Sequence, residues 1–282
     1  MKLILILSLA VLVAGPASAC GGSGSSSGDR DSVVASFYPL AFAAEQVGGD
    51  AVSVENLTPP GAEPHDLEVS PSDVGRIKSA NLVLLLGHGF QPQLEDAAGS
   101  DSNVVALLDT PGLDLHPDGD PHVWLDPIRY TKLVERLGVV LGRPSAASRL
   151  VARLGELDAE YERGLADCAR RDIVTSHEAF SYLAERYGLR QIAITGLNPE
   201  AEPTPQALQE TVEVVRASHA TTVYFERLVS PRLAETVARE TGTQTAVLDP
   251  IEGLADSEKQ GSDYFTVMRA NLRALQAGLG CR

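Results

Sequence analysis

Short apolar runs separated by amphipathic stretches recur through most of the chain, and this rhythm restricts the fold more than any other feature. VVASF (33–37), VSVENL (52–57), LVLLL (82–86) and VVAL (104–107) are too short for buried helices and read as strands. Helical patterns lie between them, near 40–47, 72–79 and 91–98. Continuous apolar strands alternating with helices imply a mostly parallel sheet covered by helices. The rhythm breaks near Ile128. From there to Ala169, leucines recur every fourth residue at 133, 137 and 141. Beyond Gly142-Arg143-Pro144, Leu150, Leu154, Leu157, Tyr161 and Leu165 follow at spacings of three and four. The alternation then restarts with DIVTS (172–176), QIAI (191–194), TTVYF (221–225) and TAVL (245–248), with helices expected at 177–187, 204–218, 230–240 and 262–279. The predicted class is α/β: two lobes with mostly parallel sheets, joined by a long helical spine. The boundaries read as an N-terminal lobe at 32–127, a linking helix at 128–170 and a C-terminal lobe at 171–282.

The N-terminus speaks to location. MKLILILSLAVLVAGPASAC has one early cation, an apolar run and small residues before Cys20. That run is too short to span a bilayer, so 1–19 reads as a signal peptide. Cys20 after Ala19 resembles a lipobox, although Ala17 stands where leucine is usual. A flexible Gly/Ser tether follows, at 20–31. Lipid on Cys20 would anchor the protein to the outer face of the cytoplasmic membrane; the alternative is a secreted or periplasmic protein with an incidental cysteine. Cys168 and Cys281 remain, and an exported even pair suits a disulfide, two free thiols being the alternative. A formal charge of −15 argues against nucleic acid, whose phosphates need Lys/Arg stripes.

Three histidines fall at informative places. His65 lies in the Pro-rich loop beyond the second strand. His122 sits between Asp120-Pro121 and Asp126-Pro127, in a loop that proline makes stiff. His177 follows the first strand of the second lobe, and Asp249 follows its last. Ligands of open α/β sheets collect outside the carboxyl ends of the strands. Two side chains from each lobe are therefore expected to face the cleft, and three imidazoles with one carboxylate form a natural tetrahedral zinc set. Asp120, Asp126 and Glu178 are candidates to orient the imidazoles, with helix capping the other reading of Asp126. His88 reads as loop packing or a place at the cleft rim, His116 as an exposed loop residue or an auxiliary collector of metal, and His219 as a helix cap or a solvent-facing residue.

SFYPLAFAAEQVGGD, PPGAEPHDLEVSPSD, DPHVWLDP, SHEAFSYLAERYGL and LDPIEGL resemble, in order, motifs of the zinc/manganese-type solute-binding proteins of ABC transporters. The resemblance runs from about Val33 to the C-terminus. It implies a receptor that passes a divalent cation to a membrane permease, and metal ligands at His65, His122, His177 and an acidic residue at Asp249. Glu252, three residues beyond Asp249, is the competing fourth ligand. A long His-rich loop common before the DPH motif is reduced here to His116. The third imidazole favours zinc over manganese or iron, because nitrogen donors bind zinc more tightly.

The expected activity is thus capture and delivery of Zn2+ by a monomer, without catalysis. An exported zinc hydrolase is the alternative. It would need an open metal position and a base, for which Glu178 is the one candidate. An adhesin with a structural metal is a third reading, and a manganese or iron receptor of the same family a fourth.

Overall fold

The computed structural model describes residues 30–254 and 261–282. The signal-peptide, lipidation and tether readings at 1–29 lie outside the described residues. The first lobe holds β1 (Asp31–Ala35), β2 (Val52–Asn56), β3 (Leu82–Leu85) and β4 (Val104–Ala106). The second holds β5 (Asp172–Thr175), β6 (Arg190–Ala193), β7 (Thr222–Phe225) and β8 (Gln244–Val247). Each lobe has a four-stranded sheet, ordered β2-β1-β3-β4 and β6-β5-β7-β8, and every pairing is parallel. All eight strands lie where the apolar runs predict, within two residues at either end.

Alternate side chains of each strand serve different cores, as the period-two geometry of a pleated strand requires. Val33 and Ala35 of β1 and Leu82 and Leu84 of β3 join an inner cluster. Val34, Val83 and Leu85 face an outer cluster that includes Ile77 and Leu94. The second lobe repeats this: Ile173 and Tyr224 point inward, Val174 and Val223 outward. The outer faces are covered by α2 (Pro71–Ser79) and α3 (Pro92–Ala98) in one lobe and by α7 (Pro205–Ser218) and α8 (Arg232–Thr241) in the other. Helix starts follow the local chemistry. Ser70 and Asp73 form a capping box on α2, and Thr204 caps α7.

The inner cluster runs unbroken through both lobes, with α1 (Tyr38–Gly48), α4 (Pro127–Val140), α5 (Pro144–Leu165) and α9 (Tyr264–Leu279) contributing. The linking region is two helices, broken at the expected Gly-Arg-Pro. Gly142 takes φ 64°, and Gly138 allows an approach in which any Cβ would meet that of Ala147 at 2.5 Å. The 22-residue α5, about 33 Å long, reaches both lobes. Arg153 donates to Gln46 of α1, while the Tyr161 hydroxyl donates to Met268 O at 2.6 Å and Glu160 pairs with Arg269. Beyond the ends of α5 and α9, Cys168 and Cys281 are joined by a disulfide. The short α6 (Ser181–Arg186) starts four residues later than expected. The His177 carbonyl, which a helix from 177 would use, instead accepts from Thr175 Oγ1 and Gln191 Nε2. His177 is thereby left on a braced loop. No helix among the described residues is long and apolar enough to cross a membrane.

Candidate metal centre

His65, His122, His177 and Glu252 each aim one donor atom into the crevice between the lobes, all within 4.8 Å of one another. His65 comes from the loop after β2, between Pro64 and α2, and its ring meets Phe90 edge-on at 4.6 Å. His122 follows Asp120-Pro121. Its own N–H donates to Asp120 Oδ1 at 2.9 Å, and its Nδ1 lies 2.7 Å from the same oxygen. His177 stands just past β5, with Nδ1 2.7 Å from Glu226 Oε1. Glu226 itself follows β7 directly, so these two flank the point where strand order reverses in the second sheet. Glu252 ends a turn beyond β8.

The spacing is that of a coordination shell. Glu252 Oε1 lies 3.0 Å from His122 Nε2, 3.4 Å from His65 Nε2 and 3.4 Å from His177 Nε2, and the Nε2 atoms of His122 and His177 are 3.3 Å apart. Four donors held tetrahedrally at about 2.0–2.1 Å from a zinc ion stand about 3.3–3.4 Å apart. Once neutral, His122 and His177 donate Nδ1–H to Asp120 and Glu226 and present Nε2 lone pairs to that point. His122 and His177 are fully buried and Glu252 nearly so, whereas the His65 side chain is 11% exposed. His65 also lines a cavity of about 320 Å³ with His88, Phe90 and Asn198.

The carboxylates demand positive charge. Burial alone would depress the His177 imidazolium, but Glu226 and Glu252 outweigh it and push the pKa up to about 10. His122 is raised in the same way, Asp120 and Glu252 overriding burial. Burial would lift Glu252, yet His122, His177 and His65 hold it well below the usual carboxylate range. Two residues before His65, burial and the nearby Glu252 push Glu63 up to about 8.

Asp249 does not join the group, which corrects the expected fourth position. It is buried, but its Oδ1 accepts from Ile251 N at 2.7 Å and its Oδ2 lies 3.5 Å from Arg227. It faces a separate cavity of about 250 Å³ with Asn271 and Thr266. The chain turns between 249 and 252, so only the later carboxylate enters the crevice. Of the expected orienting acids, Asp120 holds an imidazole, whereas Asp126 caps α4 through Ile128 N and pairs with Arg129. Glu178 stands outside the donor group. Sequence reasoning missed Glu226. Its signal was its place directly after a strand, the same rule that singled out His177. His116 stacks on Tyr182 at 4.0 Å and meets Glu185, His88 meets Asp109, and His219 closes α7 with φ 56°.

Two similarly wound α/β lobes, a shared core and a polar donor cluster buried between them define a cleft-type solute-binding protein. The chain belongs to the ZnuA family, described as the periplasmic component A of the zinc-uptake complex, which matches residues 33–278. It is 35% identical over 275 residues to the zinc-binding lipoprotein AdcA of Streptococcus pneumoniae, covering 86% of this chain and 55% of AdcA. The chain thus spans about half the length of that relative. It is 31% identical over 297 residues to the high-affinity zinc uptake system protein ZnuA of Bacillus subtilis, covering 93% of each. Among solved structures, the Zn(II)-bound ZnuA-like domain of S. pneumoniae AdcA superposes with a TM-score of 0.76 at 35% identity, over 89% of this chain and 99% of that one.

Proposed function

We propose that this protein is an extracytoplasmic zinc receptor. It captures Zn2+ with His65, His122, His177 and Glu252 and delivers it to an ABC transporter permease. The observation that carries this reading is the convergence of three imidazole nitrogens on one carboxylate oxygen at 3.0–3.4 Å, drawn from loops of both lobes. Three nitrogen donors and a single oxygen favour zinc over manganese. AdcA and the B. subtilis relative, both named for zinc, support the assignment. The role is binding and not turnover, because four protein donors complete a tetrahedral shell and leave no position for an activated water. Metal bridging the lobes at 32–127 and 171–282 stabilises the closed arrangement that a permease reads. The 128–170 region between them acts as the stiff link. Lipid on Cys20 holds the monomer at the outer face of the membrane, within reach of its permease.

Metal analysis and calorimetry on the purified protein test the reading. One zinc per chain is expected, lost in His177→Ala. Absence of stoichiometric zinc in the wild type would refute it.

A further inference from the structure

The turn that carries Glu252 is held in an unusual shape. Ile251, β-branched and fully buried, takes φ 58°, in the left-handed region that such residues rarely enter. Residues in such conformations persist only where their surroundings over-determine them. Here the surroundings are three hydrogen-bonding side chains, all buried. Asp249 Oδ1 accepts the Ile251 N–H at 2.7 Å. The Asn271 side chain of α9 both accepts from Asp249 N at 2.9 Å and donates to Asp249 O at 2.6 Å. Trp124 Nε1–H, two residues after His122, donates to Pro250 O at 2.7 Å. Every backbone polar group from Asp249 N to Ile251 N is thereby satisfied, proline having no N–H to place.

The clamp also crosses the cleft. Trp124 belongs to the His122 loop, and its own carbonyl accepts from the Tyr264 hydroxyl of α9 at 2.6 Å. Gly61, in the loop that carries His65, donates its N–H to Leu254 O at 3.0 Å. Both first-lobe ligand loops are therefore tied to the segment that presents the second-lobe carboxylate.

We propose that Asp249 is a positioning residue which, with Asn271 and Trp124, locks the strained Ile251 turn so that Glu252 Oε1 meets the three imidazoles. This rests on the metal-site reading above. Asp249 acts through the Oδ1 that accepts from Ile251 N, while its Oδ2 lies 3.5 Å from the half-exposed Arg227, a pair that solvent weakens, so asparagine, which keeps the acceptor, can replace it.

Zinc affinity is measured by chelator competition, and the visible ligand-field spectrum is recorded with Co2+ alone, on metal-free wild type, Asp249→Ala, Asp249→Asn and Glu252→Gln. The alanine variant is expected to lose about 10–100-fold in affinity, the range for removing a residue that orients a ligand, with an altered cobalt spectrum. The asparagine variant keeps the wild-type affinity and spectrum, and Glu252→Gln loses the site. An asparagine variant as impaired as alanine would show that Asp249 works by charge or ligation and would overturn the proposal. So would an alanine variant indistinguishable from wild type, and with Glu252→Gln still defective the metal-site reading would survive it. Wild-type binding in Glu252→Gln would remove the site itself and this proposal with it. If Asp249→Ala does not fold, Asn271→Leu, of similar size and on α9 away from the donors, withdraws the two hydrogen bonds to the Asp249 backbone. A shifted cobalt spectrum then supports the clamp, and an unchanged one refutes it.

Discussion

Glu226 offers the sharpest test of how the imidazoles are held. Its Oε1 lies 2.7 Å from His177 Nδ1, and both side chains are almost fully buried. Glu226→Gln keeps an oxygen acceptor but removes the charge. A buried hydrogen bond to a charged group contributes about 1.5–3 kcal/mol, against about 0.5–1.5 kcal/mol for a neutral one. The difference, about 1–1.5 kcal/mol, corresponds to roughly 5–12-fold weaker zinc binding. Glu226→Ala goes further: it leaves the Nδ1–H without a partner and the ring free to turn, and a loss nearer 100-fold is expected. Competition titration with a zinc chelator over a range of pH, reduced to the pH-independent affinity so that the proton His177 gives up does not enter, measures the series. A graded loss, wild type to glutamine to alanine, is the predicted outcome. Glutamine binding as tightly as wild type, or alanine no worse than glutamine, would refute the view that a carboxylate fixes the tautomer and orientation of His177.

Zinc affinity should fall as pH falls. The His177 pKa of the metal-free protein is pushed up to about 10, so over the range below it each zinc bound displaces a proton, and titration in buffers of different ionisation enthalpy will detect that release. The same raised pKa gives metal-free protein a stabilising contribution that is fully present below about 6.5 and fades as pH rises toward 10. Replacing Cys168 and Cys281 together by serine opens a loop with a sequence separation of 113 and should cost up to about 5 kcal/mol in denaturant unfolding, with zinc affinity unchanged. Leu154→Ala, at a fully buried position of α5, should destabilise by about 2–5 kcal/mol in the same assay without touching the donors.

The eight strands were legible because each centres on a short apolar run, although only the central β1, β3, β5 and β7 are mostly buried and the edge strands are partly exposed. The three histidines were legible from local features: His177 stands just past β5, where α/β sheets gather ligands, and His65 and His122 sit in proline-stiffened loops beyond β2 and β4. The late start of α6 was not, since the competing acceptors of the His177 carbonyl, Thr175 and Gln191, come from two different strands.

The fourth donor shows where local reading stops. Asp249 and Glu252 both follow β8, both are acidic, and both are buried, at 5% and 1% exposure. Composition and spacing cannot rank them. The amino-acid order alone gave the class of fold, the two-lobe plan, the break in the linking helices and three of the four residues that converge in the crevice, because these follow from periodicity, from proline and glycine chemistry and from the loops beyond strand ends. The tertiary structure decided which carboxylate enters the crevice and which acids brace the imidazoles. Those choices depend on Asn271 of α9 and Trp124 of the other lobe gripping one turn, and on Glu226 arriving beside His177 from the next strand. Contacts between residues so distant along the chain leave no trace in the pattern of any single segment.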